Sequence, residues 1–133
     1  MSRSLILASA SPRRVQMMRE AGYVFDVEVP DVEEAHDASM TCDALTTENA
    51  RRKALVVASR HPGAVVVAAD TLVYINSDPL AKPADLAEGR AMLWRLSGRT
   101  HQVCTGVAIA CDQDVRCFSV VTQVKFKALT DDI

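Results

Sequence analysis

Two serines and two arginines stand close together near the N-terminus, in the segment Ser9-Ala10-Ser11-Pro12-Arg13-Arg14. Ser11 followed by Pro12 is the pattern of a helix N-cap and a first helical position. Backbone N–H groups at a helix start favour anions, and arginine side chains match the geometry of phosphate oxygens. The segment therefore predicts a phosphate-binding loop, with a capped helix and solvent-facing arginines as the plainer alternative.

Asp70 stands directly after the apolar run at residues 64–69 and is followed by Thr71. A buried carboxylate without a partner is costly, so an aspartate at this position needs a reason to be there. Metal coordination and general-base catalysis are two such reasons. A turn aspartate bonded to its own backbone is the structural alternative. We favour the functional interpretation because of the burial cost.

Two lysines could add positive charge to the same site. Lys53 shares a helical face with Ala50 and Ala54, and Lys82 precedes a proline that biases it to an extended conformation. Lysines contact phosphates well, although each one alone is more often a solvated surface charge. Their value as candidates therefore depends on the other motifs.

An acidic pair, Glu33-Glu34, lies in a polar loop. Together with Asp70, a carboxylate from this loop could hold Mg²⁺ or Mn²⁺. Alone, such a pair is typical of a solvated loop. His101 and Cys104 fall on strand-like positions, as does Cys111, and we expect all three to be structural.

Composition and charge narrow the class of protein. The 133 residues are 49% hydrophobic and 24% charged, with a formal net charge of −2. These values are typical of a single globular domain, here 1–133, and give no overall basic surface for nucleic acid. The cysteines form no CxxC pair, and no apolar run resembles a signal peptide or a membrane span. The sequence predicts a cytoplasmic protein with free thiols.

The elements that would position these residues alternate between strands and helices. Helical patterns cover 12–21, 43–60 and 85–96, the last with Leu86, Leu93 and Leu96 facing inward. Strand patterns cover 4–8, 23–29, 64–69, 72–75, 101–111 and 115–128. Residues 130–133 resemble the start of a further helix. This order predicts an α/β protein with a mixed twisted sheet flanked by helices, in which sites form where loops leave strand ends.

Taken together, these segments resemble the Maf family, the septum-formation inhibitor-like nucleoside triphosphate pyrophosphatases. The matching motifs are LILASASPRR at 5–14, VEE at 32–34, ARRKA at 50–54, AADT at 68–71, AKP at 81–83 and LSGRTHQVCTGVA at 96–108. SASPRR and AADT in this order are more specific than either motif alone. The resemblance implies a Maf/ITPase-like fold over the whole chain. Family members continue past the position of Ile133 with a further pocket-lining segment, so 1–133 is expected to be an incomplete Maf-like domain that lacks its C-terminal part.

The resemblance also implies an activity and a role for each matching residue. The activity is hydrolysis between the α- and β-phosphates of a nucleoside triphosphate, which gives a monophosphate and pyrophosphate and requires a divalent metal cation, Mg²⁺ or Mn²⁺. Asp70 would be the proton acceptor and, with Glu34, a metal ligand. The other catalytic residues would be Lys53 and Lys82, and the substrate-binding residues would be Ser9, Ser11, Arg13, Arg14 and Thr71.

Within the family, the combination of PRR and a DT pair is similar to the dTTP/UTP pyrophosphatase branch, which has a house-cleaning activity. The resemblance implies that Arg13 and Thr71 are the specificity residues. Asn49 departs from the family pattern, which is usually apolar at this position. The implied partners are the nucleotide and a second copy in a homodimer, with no nucleic acid and no membrane. The alternative is a catalytically impaired nucleotide-binding or regulatory module linked to cell division.

Overall fold

The computed structural model describes residues 4–35, 39–75, 78–80 and 85–129. The elements, in chain order, are β1 (Leu5–Ala8), α1 (Pro12–Glu20), β2 (Asp26–Val27), α2 (Cys42–Arg60), β3 (Val65–Ile75), β4 (Asp78–Leu80), α3 (Leu86–Leu96), β5 (Thr100–Cys111) and β6 (Asp114–Lys125). The predicted mixed α/β sheet with flanking helices is confirmed. Lys82 and the predicted helix start at 130–133 lie outside the described residues.

Five strands of the sheet lie in the order β2-β1-β3-β5-β6. The short strand β4 pairs with the C-terminal end of β3. β1 runs parallel to both of its neighbours, whereas β5 runs antiparallel to both β3 and β6. β3 is therefore the central strand, as its apolar sequence predicts. No helix of the described ranges is both long enough and apolar enough to cross a membrane.

Helix α2 packs across the middle of the sheet, against β3 and β5. The contact is built largely from small side chains, and its fully buried members include Ala50, Ala54, Val57, Val66, Ala68 and Ala108. Small side chains let the helix backbone approach the strands closely. At Gly106 on β5 the approach is so close that a Cβ atom would overlap the backbone of Thr46 and Thr47.

The helix ends follow the local signals in the sequence. Ser11 caps α1 by accepting a hydrogen bond from the Arg14 N–H, and Pro12 occupies the first turn. Gly22 and Gly98, which follow α1 and α3, have φ values of +90° and +66°. A left-handed conformation of this kind favours glycine, so these ends are fixed by residue type.

Four predicted strands differ from the observed ones by more than one residue. The strand predicted at 23–29 is limited to Asp26–Val27, and Tyr23 and Val29 are 58% and 60% exposed. Among the described residues this strand, β2, lies at the sheet edge and pairs with β1 alone, so few contacts hold its ends. The strands predicted at 64–69 and 72–75 form one strand, because β5 pairs with β3 along its length. β6 ends at Lys125 and not at residue 128.

The prediction that three leucines of α3 face inward is wrong for two of them. Leu86 is 93% exposed and Leu93 is 40% exposed, whereas Leu96 is buried. Leu96 packs with Ile75 and Leu80. α3 therefore meets the described part of the protein through its C-terminal end, and its N-terminal leucine has no described surface to cover it.

Candidate active site

The loop that follows β1 is organised by the hydroxyl group of Ser9. This residue is only 5% exposed. Its Oγ accepts hydrogen bonds from the Ser11 N–H at 3.2 Å and from Arg14 Nη1 at 3.3 Å. The loop predicted to bind phosphate thus brings a serine hydroxyl and an arginine together at the start of α1.

Arg14 connects this loop to the centre of the sheet. Its Nη1 also donates to the Ala69 carbonyl at 3.4 Å, and its Nη2 donates to Thr71 Oγ1 at 2.6 Å. Thr71 Oγ1 lies 3.0 Å from Thr105 Oγ1 on the paired strand. Burial lowers the pKa of Arg14, while the negative charge of Asp70 opposes that shift. Arg14 therefore lies in the electrostatic field of the Asp70 carboxylate.

Arg13 occupies a different environment from Arg14. It is exposed on α1, and the hydrogen bonds and ion pairs among the described residues do not include its side chain. Successive helical residues point about 100° apart, so one of two adjacent arginines turns toward the sheet and the other away. Of these two arginines, Arg14 is the one that contacts Thr71 and is affected by the charge of Asp70.

Asp70 is 8% exposed and lies on the face of β3 that α2 covers. Its Oδ1 accepts from Lys53 Nζ at 3.4 Å, and its Oδ2 accepts from Asn49 Nδ2 at 3.2 Å. Both partners come from α2. The buried carboxylate thus has the charged and polar partners that the burial cost requires.

Lys53 forms ion pairs with two carboxylates, those of Asp70 and Glu34. Its Nζ lies 3.0 Å from Glu34 Oε1, in addition to its contact with Asp70. The predicted acidic pair is therefore divided by the structure: Glu34 faces Lys53, whereas the Glu33 carbonyl accepts from Arg52 Nη1 at 3.1 Å. The structure brings Lys53, Glu34 and Asp70 into one cluster.

Asn49 is a site residue whose contribution the sequence did not predict. Its Oδ1 accepts from the Ala35 N–H at 2.6 Å and its Nδ2 lies 3.3 Å from the Ala35 carbonyl, in addition to its bond to Asp70. Asn49 thus binds both the loop that carries Glu34 and the Asp70 carboxylate, and it fixes their relative position. In the sequence, the only sign of this role is a polar residue beside the apolar face of α2.

This arrangement combines two chemical capacities. Arg14 and Lys53 offer positive charge to an anion, and Ser9 offers a hydroxyl group. The carboxylate oxygens of Glu34 and Asp70 are the hard donors that Mg²⁺ and Mn²⁺ prefer, so the donor set fits a divalent cation of this class. A carboxylate can also accept a proton from water. A cleft of about 580 Å³, lined in part by Ser9, Val15 and Val29, adjoins the loop.

Of the three residues that we expected to be structural, two lie in the core. His101 is 4% exposed and packs edge-on against Phe126 with ring centroids 4.9 Å apart. Cys104 is completely buried, and Cys111 is half-buried at the end of β5. None of the three contacts Asp70 in the hydrogen bonds described above.

Comparison with solved structures shows the fold class. The HAM1 protein from Coxiella burnetii matches with a TM-score of 0.65 at 20% identity, covering 93% of this chain and 73% of that one. The dITP/XTP pyrophosphatase from Mycobacterium abscessus matches with a TM-score of 0.56 at 15% identity, covering 92% and 73% respectively. At these identities the likeness concerns the α/β fold alone.

Comparison with curated sequences and family models shows the family. The dTTP/UTP pyrophosphatase of Akkermansia muciniphila is 46% identical over 127 residues, which cover 96% of this chain and 67% of the relative. That of Myxococcus xanthus is 48% identical over 126 residues, covering 95% and 64%. The chain thus spans about two thirds of the length of these relatives. The family model described as "Maf-like protein" matches residues 4–133, and the chain therefore belongs to the Maf family.

Proposed function

We propose that the protein hydrolyses dTTP and UTP between the α- and β-phosphates and releases the nucleoside monophosphate and pyrophosphate. The observation that carries this proposal is the buried Asp70 carboxylate, which Lys53 and Asn49 hold by hydrogen bonds. The next residue, Thr71, accepts a hydrogen bond from Arg14, which also contacts Ser9. The relatives named dTTP/UTP pyrophosphatases support the reaction and the substrate class.

The cations of the site would bind the phosphates. Arg14 is held by neutral acceptors, a serine and a threonine hydroxyl and one carbonyl. A phosphate oxygen is a stronger, charge-assisted acceptor than any of these, so a nucleotide can compete for the guanidinium group. Lys53 and the exposed Arg13 would add further charge, and Lys82 keeps its predicted role. Positive charge placed in this way also stabilises the developing charge on the leaving pyrophosphate.

Asp70 would act as the proton acceptor. As the oxygen of a water molecule bonds to the α-phosphorus, one proton of that water passes to the Asp70 carboxylate. The bond from the α-phosphorus to the oxygen that bridges it to the β-phosphate breaks, and pyrophosphate leaves with the electron pair. Lys53 and Asn49 each bind a different oxygen of Asp70, and so they fix the orientation of the carboxylate.

Glu34 and Asp70 are the residues that would hold the divalent cation, Mg²⁺ or Mn²⁺. When bound, such a cation neutralises phosphate charge and polarises the reacting groups. Lys53 contacts both carboxylates, so it balances their charge in the protein alone. Chelation with EDTA is expected to abolish turnover, and adding Mg²⁺ or Mn²⁺ is expected to restore it.

A panel of nucleoside triphosphates tests the substrate class. We expect pyrophosphate release from dTTP and UTP to exceed that from dATP and GTP, measured as kcat/KM with Mg²⁺ or Mn²⁺. Arg13→Ala should reduce this preference, since Arg13 and Thr71 are the proposed specificity residues. Equal rates on all substrates would contradict the pyrimidine preference. A nucleotide-induced rise in melting temperature without pyrophosphate would instead favour the nucleotide-binding module.

Replacing Arg14 tests the phosphate-binding role of the loop. Arg14→Lys keeps the charge but cannot contact Ser9, Ala69 and Thr71 with one planar fork. We expect kcat/KM to fall about 10- to 100-fold, the equivalent of one hydrogen bond to a charged group. The matched control is Arg116→Lys, at an exposed position of β6, which should behave as the unchanged protein. An unaltered kcat/KM for Arg14→Lys would remove this arginine from the proposed site.

A further inference from the structure

Two thiols and a carboxylate meet at the start of α2, apart from the carboxylate site of Glu34 and Asp70. Cys42 and Asp43 form the first turn of α2, and Cys104 approaches from β5. Their sulfur and carboxylate oxygen atoms all lie within 4.8 Å of one another. Residues 61 positions apart are therefore brought to one point by the packing of α2 on the sheet.

Both thiols converge on the same carboxylate oxygen. Cys104 Sγ donates to Asp43 Oδ1 at 3.2 Å, and Cys42 Sγ donates to it at 3.6 Å. Burial raises the pKa of the Cys104 thiol, which keeps the proton that this hydrogen bond requires. Thr46 Oγ1 lies 3.4 Å from Cys104 Sγ and helps to close the inner side of the cluster.

The three side chains of this cluster differ in their exposure to solvent. Cys104 is completely buried, Cys42 is half-buried and Asp43 is exposed. The cluster thus has a closed inner end and an outer end that an ion can reach from solvent. A soft inner thiol with an accessible thiol and carboxylate differs from the oxygen-only donor set of Glu34 and Asp70.

We propose that Cys42, Asp43 and Cys104 bind a soft divalent cation of the zinc class. Thiolate and carboxylate are zinc ligands, and three protein ligands leave one tetrahedral position for water. With Zn–S bonds of about 2.3 Å, the two sulfurs of a tetrahedral site lie about 3.8 Å apart, which the observed cluster can reach by small side-chain movements.

Charge balance is compatible with a buried site. Binding of the cation displaces the two thiol protons, which pass to solvent. Each negative charge created on a sulfur is compensated by one positive charge of the cation, so the net charge of the cluster is unchanged. The site would join the N-terminal turn of α2 to β5, and α2 also carries Asn49 and Lys53. Metal binding should therefore stabilise the packing of the helix that holds Asp70.

Cadmium provides a direct probe of this site, because thiolate-to-cadmium charge transfer absorbs in the ultraviolet. We expect the reduced full chain to show this absorption with saturation at one Cd²⁺ per chain, to lose it on titration with Zn²⁺, and to keep it in excess Mg²⁺. Cys42→Ser and Asp43→Asn should each weaken binding by at least about tenfold, because even the loss of a group that only supports a metal ligand costs about 10- to 100-fold in affinity. The control is Cys117→Ser, at an exposed thiol of β6, which should bind as the unchanged protein.

Cys42 and Asp43 are chosen because they reach the surface, whereas a substitution of the buried Cys104 could unfold the chain. Circular dichroism of each variant verifies that the fold is retained. The proposal is overturned if the reduced chain gives no thiolate charge transfer, or if Cys42→Ser binds Cd²⁺ as tightly as the unchanged protein. A chain that forms a Cys42–Cys104 disulfide on oxidation, but binds no metal after reduction, would overturn it as well.

Discussion

Asp70→Asn is expected to lower kcat for pyrophosphate release by a factor of about 10²–10⁴, the usual contribution of general acid–base catalysis. The amide has nearly the shape of the carboxylate but cannot take a proton from water. Lys53 keeps its ion pair with Glu34 in this variant, so the fold should survive. The measurement is kcat at saturating dTTP and UTP, together with the nucleotide-induced rise in melting temperature, which should persist.

The matched control is Asp114→Asn, which alters an exposed aspartate at the start of β6. Its kcat should equal that of the unchanged protein. If Asp70→Asn also kept full kcat, Asp70 could not be the proton acceptor. If it lost kcat together with its cooperative thermal transition, the loss would report unfolding, and the fold survival predicted above would be wrong.

Gly106→Ala is expected to destabilise the protein by about 3 kcal/mol or more, at or above the upper end for overpacked cores. The added Cβ would overlap the backbone of Thr46 and Thr47, which cannot rotate away as a side chain can. Gly106 pairs with Asp70 across β5 and β3, so displacing α2 at this point also disturbs the contacts around Asp70. Urea unfolding gives the stability change, and the pyrophosphate assay gives the loss of activity.

Gly63→Ala separates this effect from the loss of glycine flexibility. Gly63 has a φ of +79° with nothing within 4 Å of an added Cβ, so its substitution strains only the backbone and should cost about 1–2 kcal/mol. It lies in the turn before β3, and activity should be retained. Equal stability losses in the two variants would show that the α2–β5 approach at Gly106 is not what limits substitution there.

Local sequence signals were sufficient for most of the helix and strand bounds. A serine before a proline starts α1, and glycines with positive φ follow α1 and α3. These signals depend on a few adjacent residues, so they can be read without the tertiary structure. The apolar run at 64–69 likewise indicated a buried strand, and this run forms part of the central strand β3.

Features that depend on distant partners were not predictable in the same way. The residue types of Arg13 and Arg14 do not show which of the two faces the sheet. The orientation of α1 on the sheet decides that Arg14 contacts Thr71. The prediction that Leu86 faces inward was wrong. The helical spacing of apolar residues shows that one face of a helix is apolar, but it does not show that another element covers that face.

The polar contacts between α2 and the sheet show the same limit. Asn49 could be recognised as unusual, but its bonds to Ala35 and Asp70 require the loop, helix and strand to be placed together. Cys42 and Cys104 lie close together because the start of α2 packs against β5. Sequence motifs identified the chemical groups of the site, whereas the packing of α2 determined which of them make contact.

In the proposed reaction, the bond between the α-phosphorus and the oxygen that bridges it to the β-phosphate is the one that breaks. Phosphorus NMR of dTTP incubated with the protein and Mg²⁺ or Mn²⁺ tests it most directly, because each possible product has its own signals. We predict equal amounts of pyrophosphate and thymidine monophosphate, with both products formed about 10²- to 10⁴-fold more slowly by Asp70→Asn. Orthophosphate and thymidine diphosphate, or unchanged dTTP, would contradict the proposed reaction.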